Sequence, residues 1–319
     1  MLTRLIASTT LPVIGSPMFI VSGPELVIAQ CQAGIIGAFP ALNARPAETL
    51  REWLQQITGT LAEYDACHPQ QPAAPFAVNQ IVHPTNDRLE HDVALCAEFK
   101  VPLVITSLHS PERVVEQVHT YGGFVFHDVT TLRHARKAID AGVDGLILVC
   151  HGAGGHAGRL NPFAFVAEVR RFYDGPLVLA GAITKGEQIV AAQALGVDLV
   201  YMGTRFIATQ EANAQAAYKQ MVLDAAAGDI VYTNLFTGVH GNYLRQSIEQ
   251  SGLDPDALPE GDKTSMRYGS GGSSKAKAWR DIWGAGQGVG GIASMSSVAN
   301  EVATLRDDYH QALAQLRRR

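Results

Sequence analysis

The chain has 319 residues, 47% of them hydrophobic and 17% charged, which builds one or two globular units around a core and excludes disordered, collagen-like and low-complexity proteins. Its 25 Lys and Arg against 30 Asp and Glu leave a formal net charge of −5, no field to gather a nucleic acid. Cys31, Cys67, Cys96 and Cys150 stand far apart with no C-x-x-C pair, so neither a disulfide framework nor a zinc site is expected.

The opening stretch is broken by Ser8, Thr9, Thr10 and Pro12 and does not read as an export signal. No window reaches the roughly 18 apolar residues of a membrane span, so the expected location is cytoplasmic. Short apolar and β-branched runs ending in turn residues then fall at 13–18, 34–39, 76–81, 103–108, 124–127, 145–150, 176–180 and 199–202. Each reads as a strand buried on both faces, as in a parallel sheet.

Segments of helical period separate these runs. In 130–141, Leu132, Ala135, Ala138 and Ile139 recur three or four residues apart, while Arg133, Arg136, Lys137 and Asp140 fall off that stripe. The stretch 184–195 reads the same way. Ser22-Gly23-Pro24, Asn86-Asp87 and Ser110-Pro111 mark helix starts, and Ala141-Gly142 and Leu195-Gly196 mark helix ends leading into strands. Eight strand-helix units predict an α/β fold, a (β/α)₈ TIM barrel, because parallel neighbours need helical crossovers. An open doubly wound sheet is the rival, but the first βα turn lacks the G-x-G-x-x-G of a dinucleotide site.

After residue 210 the alternation stops. A helix is expected near 211–227, followed by 229–258 without clear period and by 259–278, rich in Gly, Ser and Lys and read as a mobile loop. A final helix, 295–316, carries Val298, Val302, Leu305, Tyr309, Leu313 and Leu316 on one stripe that should dock on a core. The expected division is a barrel of 1–210 with 294–319 and a smaller appended α/β cap of 211–293.

Barrel sites lie where strands end. After the sixth run comes His151-Gly152-Ala153-Gly154-Gly155-His156-Ala157-Gly158, after the seventh Gly181-Ala182-Ile183-Thr184, and after the eighth Gly203-Thr204-Arg205-Phe206. Exposed amides in the last two consecutive turns suit a phosphate. His156 is a candidate general base, since imidazole titrates near neutrality, with His151 second. Cys150 reads as a buried apolar side chain rather than a nucleophile. Nothing has the spacing of a metal site.

Ala153-Gly154-Gly155-His156-Ala157-Gly158, Ala180-Gly181-Ala182-Ile183, Met202-Gly203-Thr204-Arg205-Phe206 and Gly284-Ala285-Gly286-Gln287-Gly288, with Pro17-Met18 and Asn79, together resemble the nitronate monooxygenase family, formerly the 2-nitropropane dioxygenases. The resemblance spans nearly the whole chain and is weakest over 229–275. It implies an FMN-dependent TIM barrel acting on alkyl nitronates with O₂ to give carbonyl compounds and nitrite. It would put the FMN phosphate at Gly181, Ala182, Gly203 and Thr204, and the ring or ribityl chain near Met18, Asn79, Gly154 and Gln287. His156 would face the substrate, orienting an anionic nitro group when protonated or removing the α-proton of a neutral nitroalkane.

Where many members carry lysine, Asp128 follows His127, which leaves the charge beside the flavin N1–C2=O edge open. The same motifs occur in NAD(P)H-dependent FMN reductases such as quinone reductases and flavin-dependent enoyl-acyl-carrier-protein reductases; Lys275, Lys277 and Arg280 read as part of a solvated flexible lid, with nicotinamide contacts as the alternative. A non-catalytic flavin-binding protein is the second alternative. A small-molecule substrate is the expected partner, with no nucleic acid or membrane; the oligomeric state is left open, a homodimer being one form.

Overall fold

A computed structural model describes residues 2–261 and 282–318 of the chain. The eight expected runs form β1 (Val13–Gly15), β2 (Gly37–Pro40), β3 (Phe76–Val82), β4 (Leu103–Leu108), β5 (Phe124–Val129), β6 (Gly145–Val149), β8 (Leu177–Ala180) and β9 (Leu199–Met202). They pair in parallel in the order β1-β9-β8-β6-β5-β4-β3-β2. A bridge between Ile14 and Ile36 brings the last strand back to the first, with Gly15 N donating to Ile36 O over 2.7 Å. The sheet is therefore a barrel, with helices between its strands.

The two faces of each strand enter two different cores. Ile14, Ala77, Ile105, Phe126, Ile147, Val178 and Leu199 fill the interior, and Leu5 from the short first helix joins them. Val13, Val78, Val104, Val125, Leu146, Leu177 and Val200, one residue out of phase, pack outward against the helices. Continuous apolar runs are what such double burial requires.

The C-terminal helix Val298–Arg317 packs on the helices Gly186–Ala194 and Pro24–Gln32. Val298, Val302 and Leu305 are fully buried in this contact and Tyr309 packs at its edge, its Oη donating to Gln193 Oε1 over 2.8 Å, whereas Leu316 is 56% exposed, so the end of the expected stripe does not dock. Gly186 permits the close approach, since a Cβ there would collide with the backbone of Tyr309 and Leu305. Arg205 ties the end of the barrel to this helix through an ion pair with Glu301.

The stretch read as lacking period contains β10 (Ile230–Thr233) and β11 (Gly241–Leu244), which pair antiparallel with each other; β11 also pairs antiparallel with a two-residue strand, β7 (Gly155–His156). Short strands made of mixed polar and apolar residues give no readable alternation. The glycine- and serine-rich stretch from 262 onward, with Lys275, Lys277 and Arg280, lies outside the described residues. Among the described residues no helix is long and apolar enough to cross a membrane.

Candidate active site

The strand carboxyl ends open into one cavity of about 1290 Å³. That exceeds the roughly 300–1,000 Å³ usual for a single small ligand and leaves room for a cofactor with a substrate. Strand parity builds its floor. Because Ile14, Ala77, Ile105, Phe126 and Leu199 face inward, so do Ser16, Asn79, Ser107, Asp128 and Tyr201 two residues later, and all five line the cavity.

These polar side chains are linked. Asn79 Nδ2 donates to Ser107 Oγ over 2.9 Å, and Ser107 Oγ donates to Asp128 Oδ2 over 2.6 Å. Asp128 Oδ1 is buried without a hydrogen-bond partner among the described residues, and the buried Tyr201 hydroxyl lies beside Ser16. Burial raises the Asp128 carboxyl from 3.8 to about 7, opposed by the Ser107 bond. His127 faces the other way and bonds Thr106 Oγ1 through Nδ1 over 2.8 Å; burial lowers it to about 4.

One wall is made of backbone in mutual contact. Gly181 has φ +138° and Ala182 φ +54°, left-handed conformations that turn the chain sharply after β8. A Cβ on Gly154 would come within 2.8 Å of Gly286 N, and one on Gly286 within 2.6 Å of Gly152 O. Thr204 Oγ1 accepts from Gly286 N over 2.9 Å, and Gln287 N donates to Gly152 O over 2.9 Å. Three strand-end loops and the 284–288 segment thus form one cradle of bare backbone, which fits a phosphorylated planar ligand approaching closely.

His156 sits on β7, held against β11 by the Gly241 pairing. Its Nε2 lies 3.1 Å from Thr237 Oγ1, and Thr237 is 2% exposed. Burial lowers the imidazole to about 4, so it is neutral at physiological pH. Asn242 Nδ2 donates to Ala153 O over 2.6 Å and Tyr232 Oη to Ala157 O over 3.1 Å, so the late strands clamp the histidine loop from both sides. Arg45, Arg133 and Arg159 line the same cavity, with Phe19, Ile20, Leu108 and Val239 as apolar lining that stays partly exposed.

Of the residues expected from sequence, Met18, Asn79, Asp128, Gly154, His156, Gly181, Ala182, Gly203 and Thr204 line this cavity. Gln287 stands at its wall, with its side-chain oxygen 2.9 Å from where a Cβ of Gly152 would be. His151 is exposed. Cys150 is fully buried, and burial pushes its thiol up to about 12, which removes it as a nucleophile. No group of three or more His, Cys, Asp or Glu among the described residues gathers to hold a metal. Sequence reading missed Ser107 and Tyr201, which the two-residue period from Ile105 and Leu199 would have found, and Thr237, for which no local signal exists.

The profile of the family described as nitronate monooxygenase matches residues 2–307. The chain is similar to the nitronate monooxygenase of Paraburkholderia phytofirmans, at 27% identity with 96% of this chain and 94% of that protein covered. It superposes on FabK from Thermotoga maritima with a TM-score of 0.77 at 24% identity, covering 99% of this chain and 97% of that one. The nitroalkane oxidase of Streptomyces ansochromogenes gives a TM-score of 0.76 at 24% identity, with 99% of both chains covered. At such identity the two solved structures establish the shared barrel.

Proposed function

Since the chain belongs to the nitronate monooxygenase family and is an oxidoreductase, we propose that it binds FMN and oxidises alkyl nitronates with O₂ to carbonyl compounds and nitrite. The observation that carries this reading is the meeting of two features in one cavity: a backbone cradle at Gly181, Ala182, Gly203 and Thr204, and a half-buried imidazole of lowered proton affinity, His156, beside it. The cradle amides would hold the FMN phosphate, as turns after consecutive barrel strands do. Met18, Asn79 and Gly154 would lie along the ring and ribityl chain, with Gln287 supporting the Gly152 turn from behind. FMN supplies the electron transfer to O₂ when bound.

The protein's own part is position, exclusion of water and handling of one proton. A neutral His156 accepts the α-proton of a nitroalkane, and an anionic nitronate raises its affinity for a proton by Coulomb attraction. Arg45, Arg133 and Arg159 bias the cavity toward anions, and the partly exposed Phe19, Ile20, Leu108 and Val239 suit an alkyl chain. FMN-loaded protein mixed with propyl nitronate in air should release nitrite, while anaerobic NADH should leave the flavin oxidised. Rapid bleaching by NADH without nitrite from nitronate would instead assign a reductase.

A further inference from the structure

We infer that Asp128 is a proton-exchanging carboxyl in the cavity floor, giving a proton to, or taking one from, an electron-rich or anionic group seated over it. This rests on the reading that the cavity holds a flavin and its substrate, but the placement of the residue does not. Asp128 is two residues beyond Phe126 on β5 and shares its inward direction, so the carboxyl stands where the apolar barrel interior ends and the cavity begins.

Its two oxygens are differently served. Oδ2 accepts from Ser107 Oγ over 2.6 Å, and Asn79 Nδ2 donates to that same Oγ over 2.9 Å, so the serine proton is committed to the carboxyl. Oδ1 is sealed from solvent and has no partner among the described residues. An unserved buried oxygen costs roughly 1–3 kcal/mol, more when charged, so the Oδ1 side favours the protonated carboxyl.

The arginines that line the cavity, Arg45, Arg133 and Arg159, form no ion pair with Asp128. Facing Asp128 are Ser16 from the β1 end, Asn79 from β3, Ser107 from β4 and Tyr201 from β9. Tyr201 is the titratable one among them, and burial followed by the Asp128 charge raises its hydroxyl well above the usual value, so it stays neutral. His127, next on the strand, is turned away to Thr106. No lysine or arginine among the described residues pairs with Asp128. Both protonation states are therefore populated near neutrality, which agrees with a carboxyl raised to about 7.

The consequence is a division of labour. His156 and Asp128 line the same cavity with their affinities for protons pushed in opposite directions, the pattern that separates acid from base roles in one site. When negative charge arrives in the cavity, the Asp128 O–H bond breaks and its proton goes to the occupant's acceptor atom. The carboxylate left behind keeps its Ser107 bond and regains a proton from the cavity, onto which the half-buried residue opens. An ionised Asp128 would oppose the same charge.

Infrared difference spectra of FMN-loaded protein, titrated from about pH 5 to 9, test this directly. Wild type should show a protonated-carboxyl band that disappears near neutral pH and is missing in Asp128→Asn. Ser107→Ala removes the donor that favours the ionised form and should move the transition to higher pH. The midpoint potential of the bound flavin should change slope near the same pH in wild type and not in Asp128→Asn. A carboxyl ionised over the whole range, or identical potential-pH curves for wild type and Asp128→Asn, overturns the inference even if nitrite is formed. If the protein takes up no FMN, the oxidase reading falls, while the infrared titration of the flavin-free protein still decides the state of Asp128.

Discussion

His156 Nε2 lies 3.1 Å from Thr237 Oγ1, and that same hydroxyl oxygen lies 2.8 Å from the carbonyl oxygen of Val239. The hydroxyl has one proton, and the carbonyl can only accept. With that proton given to Val239, Nε2 must donate to Oγ1, which assigns the neutral ring as the Nε2–H tautomer with its lone pair on Nδ1. A threonine 81 residues along the chain thus sets which nitrogen of the histidine is basic.

Thr237→Val keeps the shape and removes the hydroxyl's bonds with His156 Nε2, to Val239 O and from Val239 N. We expect FMN binding unchanged and kcat/KM for a neutral nitroalkane down about tenfold, the equivalent of one hydrogen bond of roughly 1.4 kcal/mol. Thr237→Ser should restore it. Equal loss in valine and serine variants would assign Thr237 a packing role only.

His156→Asn should retain FMN and lose about 10²–10³ in turnover of nitroalkanes, the usual weight of a positioned base. Because burial lowers the imidazole to about 4, the base is unprotonated down to that pH. The pH profile of kcat/KM for a neutral nitroalkane should be level from neutrality to about pH 5 and fall toward 4. A break near 6.5 that persists in Asp128→Asn would mean that the ring is solvated, against the structure.

Asp128 makes stability depend on pH in a direction opposite to most carboxylates. Folded, it keeps its proton up to about 7; unfolded, it releases it near 3.8. Between those values the native state holds more protons, so its contribution is full below pH 4 and is lost as pH rises through 7. His156 has the reverse sign over about 4 to 6.5, which is why the comparison must be wild type against Asp128→Asn. Chemical unfolding should find the asparagine variant more stable above pH 7, by on the order of 2–4 kcal/mol, with the gap closing near pH 4.

At Gly186 two effects compete. Alanine in place of glycine in a helix gains about 1 kcal/mol, but a Cβ here meets the backbone of Tyr309 and Leu305, which cannot yield as a flexible side chain would. Overpacking costs about 1–3 kcal/mol or more and wins. Gly186→Ala should lower the melting temperature by several degrees and make the C-terminal helix the first segment to exchange its amides. A rise in melting temperature would show the helix contact to be loose.

The barrel was legible because strands buried on both faces must be apolar throughout, and 145–150 or 199–202 admit hardly any other reading. The backbone cradle at the strand ends was legible for a related reason: glycines at 154, 181 and 203 break otherwise regular strand ends. Less could be read where contacts are distant. β10 and β11 are short; β11 pairs with a two-residue strand, and side chains of both reach a loop 75 to 89 residues earlier, so their pattern answers to the His156 loop as much as to each other. Leu316 was placed on the docking stripe by period alone; the helix outruns the surface it packs on, and the residue is exposed. Asp128 stood out as a departure, but its orphaned oxygen and its link through Ser107 to Asn79 appear only when three strands are set side by side.

Nitrite release tests the central claim most directly. Purified protein loaded with FMN, given propyl nitronate in air, should produce nitrite in step with oxygen uptake, and His156→Asn should bind the flavin equally yet lose that activity. Flavin-loaded wild type that releases no nitrite, or a His156→Asn variant as active as wild type, would contradict the account.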